Sequence, residues 1–230
     1  MLPELLKRMN EIEGLHWIRV LYMYPDEIDD ELIDGIKDLK KVLPYFDIPV
    51  QHGSDRMLKL MNRRGSIESS RTICERSKRG YDRPVFRTTL ITGFPSETLW
   101  DHQLTLEMMK EIQWDRLGAF TYSKEEDTPS FEMEDDVPEE EKVRRLNEIM
   151  DLQKEIAQAK AASLVGETLE VLVEGYNGLI ERYTGRSIYS APDGVDGEVI
   201  FSSNQVLNQG DFVRVKIKRT RGHDLIGEMI

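Results

Sequence analysis

The stretch FDIPVQHGSDRMLKLMNRRGS, residues 46–66, passes from a short apolar run into a helical pattern through a polar elbow, Gln51-His52-Gly53-Ser54. Phe46 to Val50 reads as a short buried strand. Met57, Leu58 and Met61 then recur at helical spacing, with Ser54 or Asp55 placed to cap the helix. Gly65-Ser66 breaks that helix, and a second helical stretch follows over 66–79. A strand running straight into a helix is the first half of a βα unit. Sheets built from such units take ligands at the carboxyl ends of their strands. Gln51 offers donors and acceptors and neutral His52 one of each, while Gly53 permits close approach or a positive φ. Two readings of the elbow stand side by side: a ligand site, or a turn whose polar groups serve the backbone.

Outward from this stretch the same alternation continues. HWIRVLYMY (16–24) has strand composition and ends at Pro25. In residues 26–42, Ile28, Leu32, Ile33, Ile36 and Leu39 share one helical face. PVFRTTLITG (84–93) is the third expected strand. Ser96 is the candidate cap of a helix carrying Trp100, Leu104, Met108 and Ile112, and RLGAFTYS (116–123) is the fourth strand. A closed eight-unit barrel needs about 200 residues or more, and only four units precede the acidic loop Glu125–Val137. The expectation is an α/β partial, open TIM-like barrel of parallel strands, or part of a domain whose start is missing. A long connecting helix starts near Pro138, where proline suits the first turn. It carries Val143, Leu146, Ile149, Met150, Gln153, Ile156 and Ala157 and stops by Gly166.

The last segment changes character. ETLEVLVEGY, LIERYTGRSIYSAP, GEVIFSS and GDFVRVKIKRT are short alternating strands. Gly175, Gly178, Gly185, the pairs Asp193-Gly194 and Asp196-Gly197, Gly210 and Gly222 punctuate them. This spacing predicts a small antiparallel β-barrel. The expected domains are 1–137, 138–163 and 164–230.

Composition narrows the chemistry. The 230 residues carry 43 acids against 31 bases, a formal charge of −12. Phosphate affinity comes from Lys and Arg, so such a chain is a poor generic polyanion binder and suits a basic partner. One cysteine, Cys74, excludes an internal disulfide and a multi-cysteine metal site made by this chain alone. No apolar run is long enough for a membrane span, and the amphipathic MLPELLKRMNEIEG is not a signal peptide. The expected location is cytoplasmic.

Two further strand ends carry candidate chemistry. In Gly93-Phe94-Pro95-Ser96-Glu97, glycine and proline shape a tight turn, and the following helix exposes amides to a ligand. Tyr122-Ser123 ends the fourth strand. Arg87, inside the third strand, needs a partner: a ligand carboxylate or an acid on a neighbouring strand. His16, His102 and His223 have no metal-ligand spacing and read as structural or exposed. Cys74 reads as a packing residue, and the Met and Trp positions at helical spacing as core.

Taken together, FDIPVQHGSDRMLKLMNRRGS, FRTTLITGFPSET, DRLGAFTYSKEEDTP and GRSIYSAPDGVDGEVIF resemble the radical-SAM methylthiotransferases, in the family's order and over nearly the whole chain. The last segment resembles the branch that modifies an aspartate of the twelfth small-subunit ribosomal protein, not the tRNA branch. The resemblance implies a partial radical-SAM barrel followed by a TRAM β-barrel that binds substrate. It implies S-adenosylmethionine as cofactor and two 4Fe-4S clusters, one generating a deoxyadenosyl radical and one supplying sulfur. The family's CxxxCxxC segment and its three further N-terminal cysteines are not in this sequence, and such clusters are held chiefly by several thiolates. The chain alone is therefore expected to be inactive, a truncated product or half of a split gene. A fragment of a tRNA methylthiotransferase and a non-catalytic TRAM-containing binding subunit are the alternative expectations. By the same resemblance, Val50, Gln51, His52 and Ser54 belong to the cavity wall near S-adenosylmethionine, with Arg87 and Thr89 projecting from the next strand. Gly93, Phe94, Pro95 and Glu97 match the family's GFPGE turn, with Ser96 in place of a glycine, and Tyr122 ends the last strand.

Charge separates protein from RNA as the partner. From Leu164 onward there are ten acids and seven bases, and the remaining 163 residues carry 33 acids and 24 bases. Neither part has the electrostatic footprint of an RNA binder. The expected partner is a basic ribosomal protein of the small subunit. Against this stand Arg214, Lys216, Lys218, Arg219 and Arg221, which cluster on the final strand and turn and could form a basic patch.

Overall fold

The computed structural model describes residues 1–192 and 196–230, so the expected Asp193-Gly194 turn lies outside the described residues. The chain forms two compact units, Met1–Gln153 and Lys154–Ile230.

The first unit contains α1 (Leu2–Glu11), α2 (Asp30–Lys37), β1 (Tyr45–Asp47), α3 (Asp55–Leu60), α4 (Ile67–Gly80), β2 (Val85–Thr92), α5 (Leu99–Ile112), β3 (Arg116–Thr121) and most of α6 (Glu139–Ala162). Its sheet has the order β1-β2-β3, and both pairings are parallel. Helices return each strand to the same direction, as the alternation in the sequence requires. Phe46, Phe86 and Leu90 supply the buried side of the sheet, where Phe46 and Phe86 stack with ring centroids 5.8 Å apart. The expected α/β partial barrel is thus formed, with three strands.

The first expected strand, 16–24, does not form. Its ladder contacts are a parallel bridge from Ile18 to Val42 and a bond from the Met23 amide to the Asp47 carbonyl, 2.8 Å. Tyr22 sits at φ 56°, a left-handed conformation that interrupts a strand. Its amide turns instead to the Asp47 carboxylate, 3.2 Å away.

Two caps also differ from expectation. Ser54 holds the N-cap position of α3, but its hydroxyl donates to Asp101 Oδ1 at 2.7 Å rather than capping. Thr98, not Ser96, caps α5, through a capping box with Asp101. On α5 the buried face runs through Asp101, His102, Thr105, Met108, Met109 and Ile112, and Trp100 is 66% exposed. On α6 the buried side comprises Lys142, Arg145, Ile149, Gln153, Ala157 and Ala161, while Val143 and Met150 are exposed. In both helices a polar partner inside the fold overrode the apolar pattern.

The second unit is a closed barrel in the order β4-β5-β6-β8-β7: β4 (Thr168–Asn177), β5 (Arg182–Arg186), β6 (Val199–Ser202), β7 (Phe212–Arg221) and β8 (Asp224–Met229). Four pairings are antiparallel and β6–β8 is parallel. The parallel pair follows from counting, because a ring of five strands cannot alternate direction all the way round. Val171, Val173, Val199, Phe201, Val215 and Ile217 fill the interior. Gly185 and Gly227 lie where a Cβ would come 2.2 Å from the Leu172 carbonyl oxygen and 2.4 Å from that of Lys216. They let strands approach too closely for any side chain. Among the described residues, no helix is long and apolar enough to cross a membrane.

Candidate functional site

From Phe86 onward, residues of β2 alternate. Phe86, Thr88, Leu90 and Thr92 are buried, while Arg87, Thr89 and Ile91 are half-buried on the other face. In register on that face, Asp47, Arg87 and Arg116 lie side by side on three strands; beyond them Thr89 faces Gly118 and Ile91 faces Phe120. Arg87 Nη1 lies 3.7 Å from Asp47 Oδ2, so it pairs with an acid of the neighbouring strand. Phe120 is 62% exposed beside a glycine, which leaves this end of the face open.

The elbow sits at the edge of that face. Gln51 adopts φ 74°, a region costly for a residue with a Cβ. Its backbone bridges to β2, the amide donating to the Thr89 carbonyl (2.9 Å) and the carbonyl accepting from Ile91 (2.8 Å). Its carboxamide has no partner among the described residues. Behind it the turn is tightly tied. His52 Nδ1 accepts from the Ser54 amide at 3.0 Å and lies 3.2 Å from Thr105 Oγ1, which in turn accepts from the Gly53 amide at 3.1 Å.

Under the elbow is a buried ionic hub centred on Glu97. One carboxylate oxygen lies 3.4 Å from His52 Nε2, 3.3 Å from Arg145 Nη1 and 3.9 Å from His102 Nδ1. The other accepts from the Gly93 amide. Burial by itself would raise the Glu97 carboxyl, but His52, Arg145 and the Gly93 amide together hold it below its ordinary value. Arg145 also donates to the Glu97 carbonyl at 3.0 Å and to Glu141 at 2.8 Å. His102 Nε2 meets Glu148 at 2.7 Å. Beside the hub, Asp101 binds Arg56, Thr98 and Ser54, and these contacts outweigh burial and hold its carboxyl well below the carboxylate range.

The turn after β2 is covered by α6. Lys142 is buried with its side chain where a Gly93 Cβ would be, 2.3 Å from Cγ, and Gly93 itself is at φ 73°. Lys142 Nζ donates to Asp135 at 2.7 Å and sits 5.4 Å from the centre of the Tyr122 ring. Phe94 and Tyr122 pack edge to face at 5.0 Å over Met57.

Of the expected site residues, Gln51, Arg87 and Thr89 are half-buried at the sheet face. Val50, His52, Ser54, Gly93, Phe94, Pro95, Glu97 and Tyr122 are buried behind it. The fold joins His52, Gly93 and Glu97 directly. It does not join Arg87 to Gly93, which lie six residues apart along one strand, about 20 Å. His102, expected to be structural or exposed, is buried and structural; Asp101, Arg56, Lys142 and Arg145 escaped the sequence reading, because no spacing links them to Glu97. The signal that could have found Lys142 and Arg145 is their spacing, two basic residues three apart on one helical face; none in the sequence points to Asp101 or Arg56.

Ser96 adopts φ 67°, the conformation that a glycine takes at least cost. Ser96→Gly is expected to raise Tm by about 2–4 °C by relieving roughly 1 kcal/mol of strain. The Ser96 amide bond to Asp136, 2.6 Å, is a backbone contact and survives the change. A calorimetric scan of both proteins checks this.

The donor set does not fit an iron–sulfur cluster. Cys74 is the one cysteine and is buried within α4, and among the described residues no group of three or more His, Cys, Asp or Glu side chains is arranged to hold a metal ion.

Comparison with known proteins agrees with this architecture. Residues 1–109 match the radical SAM superfamily and residues 165–230 the TRAM domain. The ribosomal protein uS12 methylthiotransferase RimO of Acetivibrio thermocellus is 44% identical over 229 residues, covering 100% of this chain and 50% of the relative. That of Pelotomaculum thermopropionicum is 47% identical over 232 residues, covering 100% and 52%. That of Aquifex aeolicus is 40% identical, covering 98% and 52%. The chain spans about half the length of the curated relatives it matches. The parallel α/β sheet of the first unit lies largely within the radical SAM match, the five-stranded barrel lies within the TRAM match, and the chain is similar along its whole length to uS12 methylthiotransferases.

Proposed function

We propose that this chain serves the methylthiolation of an aspartate of ribosomal protein uS12 in the cytoplasm, as the part of the enzyme that frames S-adenosylmethionine and engages the protein substrate. The observation that carries the reading is similarity along the entire chain to uS12 methylthiotransferases. The division 1–137, 138–163 and 164–230 into barrel part, connecting helix and substrate-binding barrel belongs to the same reading. S-adenosylmethionine supplies the radical and the methyl group when bound. The residues of this chain that would face it are Gln51, Arg87 and Thr89 on the open sheet face, with Phe120 as an exposed aromatic surface beside them. The buried residues His52, Gly93, Glu97 and Tyr122 hold that face in shape.

Charge on the barrel supports a protein substrate over tRNA. Lys218 pairs with Glu228 at 2.6 Å, Arg221 with Asp224 at 3.4 Å, and Arg186 with Glu174. Arg214 stands opposite Glu170 in the ladder. Much of the basic cluster on β7 is therefore offset by acids. In the first unit, ten acids fall between residues 125 and 141, a field that attracts a basic protein.

The test is a binding comparison at physiological salt with purified uS12 and bulk tRNA. Saturable binding to uS12, with tRNA weaker by about tenfold or more, is expected; tight tRNA binding with a steep salt slope would move the chain to the tRNA branch. Anaerobic reconstitution of the 230-residue chain with iron and sulfide is expected to yield no stoichiometric cluster absorbance and no 5′-deoxyadenosine. Either product would refute the account of its inactivity alone.

A further inference from the structure

Phe120 is the one side chain that β3 leaves fully in solvent. Its ring lies over Gly118, where an added Cβ would meet Cε2 at 3.8 Å. Ile91, its neighbour in register, packs with Met57, Phe94 and Tyr122. Met133, on the loop that follows β3, rests against the same cluster, so ring and loop belong to one continuous surface. The loop adds a second aromatic, Phe131, 39% exposed.

That loop is fastened along its length. The Tyr122 hydroxyl donates to the Ser130 carbonyl at 2.9 Å, Lys142 Nζ holds Asp135 at 2.7 Å, the Ser96 amide holds Asp136 at 2.6 Å, and Val137 is buried. Seven of residues 125–137 are acids and none is Lys or Arg. Asp135 and Asp136 serve the fastening. The carboxylates of Glu125, Glu126, Asp127, Glu132 and Glu134 are exposed and enter no ion pair among the described residues. Elsewhere in the first unit acids are paired, as at Asp101, Glu141 and Glu148.

An exposed ring standing alone needs no explanation; a ring on an open sheet face with a charged rim marks a contact surface. The rim says of what kind. An aromatic ring also stacks on a nucleobase, but five unpaired carboxylates repel the phosphates that come with it. A basic polypeptide satisfies both features, with cationic side chains for the acids and an apolar group for the ring. Because the loop is already held in place, little entropy is lost in ordering it on contact.

We propose that Phe120 and the loop 125–137 form the docking surface for a basic segment of the substrate protein, with the Phe120 ring as its apolar anchor. The proposal rests on the preceding reading of uS12 as substrate and adds which face of the first unit receives it. The ring stands on the same sheet face as Arg87 and Thr89, so a segment held there reaches the face assigned to S-adenosylmethionine. The free acids set an association rate that depends on salt, and the ring sets a dissociation rate that does not.

The experiment measures association and dissociation of uS12 with the full 230-residue chain at low and high salt, for the parent, for Phe120→Ser and for the double variant Glu125→Gln, Glu126→Gln. All three side chains are solvent-exposed, so unchanged circular dichroism and Tm are expected. In Phe120→Ser dissociation is expected to quicken by about tenfold, with association changed less than about twofold at each salt. In the double variant association is expected to slow by about threefold at low salt and to match the parent at high salt, with dissociation little changed. Parent binding with unaltered dissociation in Phe120→Ser, or with unaltered association in the double variant at low salt, would overturn the docking surface and leave the substrate reading intact. Weaker binding of S-adenosylmethionine or of tRNA by Phe120→Ser, with uS12 kinetics unchanged, would assign the ring to that ligand and overturn the docking surface. No uS12 binding by the parent would overturn both.

Discussion

Glu97→Gln is expected to lower Tm by about 6–12 °C, the equivalent of roughly 3 kcal/mol or more in a chain of this size. Glu97 is fully buried at the centre of His52, Arg145 and His102. Removing its charge leaves the Arg145 guanidinium, 5% exposed, with Glu141 as its remaining carboxylate. A buried cation left with half of its compensation is the costly state, not the loss of the pair as such. A double-mutant cycle with Arg145→Met separates the two, because removing both charges is expected to cost less than the sum of the single changes. The pH dependence has a definite sign. The Glu97 carboxyl titrates lower in the folded state than its ordinary 4.5. Its stabilisation is therefore complete above that value and lost as pH falls through the folded one. Urea melts of parent and variant across the acid range are expected to converge at low pH. A gap that persists or widens in acid would contradict the assignment.

Gly53→Ala is expected to cost about 3 kcal/mol or more, a Tm loss of about 6–12 °C. A Cβ at this position would lie 2.3 Å from the Thr105 Cα, 2.8 Å from its amide nitrogen and 2.9 Å from the Leu104 carbonyl oxygen. All three are backbone atoms of a 14-residue helix, which cannot yield as a flexible side chain can. Relief requires moving the elbow away from α5, which breaks the 3.1 Å bond from the Gly53 amide to Thr105 Oγ1 and disturbs His52. Gly80→Ala is the matched control: a Cβ there meets nothing closer than 3.9 Å, and its effect is expected within about 1 kcal/mol of zero. Equal effects at the two glycines would show that close approach to α5 is not what position 53 requires.

These two sites also mark how far local pattern reaches. The elbow at 51–54 was legible because an apolar run, a polar turn and a helical repeat follow one another within 21 residues, and each step has a local cause. The strand positions of β1, β2 and β3, the partial parallel sheet and the small terminal barrel rest on the same kind of signal. The expected strand at 16–24 was lost because composition is a preference, while a ladder needs partners along its length. Tyr22 turns to a carboxylate 25 residues away instead.

What the sequence by itself determined is therefore the order of elements, the class of both units and the elbow that ends β1. Hydrophobic period and turn chemistry act over a few residues and can be read along a line. Only the tertiary structure decided that Glu97 gathers His52, His102 and Arg145, that Lys142 occupies the space above Gly93, and that Arg87 pairs across the sheet with Asp47. A buried charge is tolerated only beside its partner, and partners 45 and 48 residues apart meet when helices pack, which no local periodicity encodes. The parallel closure of β6 on β8 has the same origin, since it follows from five strands forming a ring and from nothing in either strand.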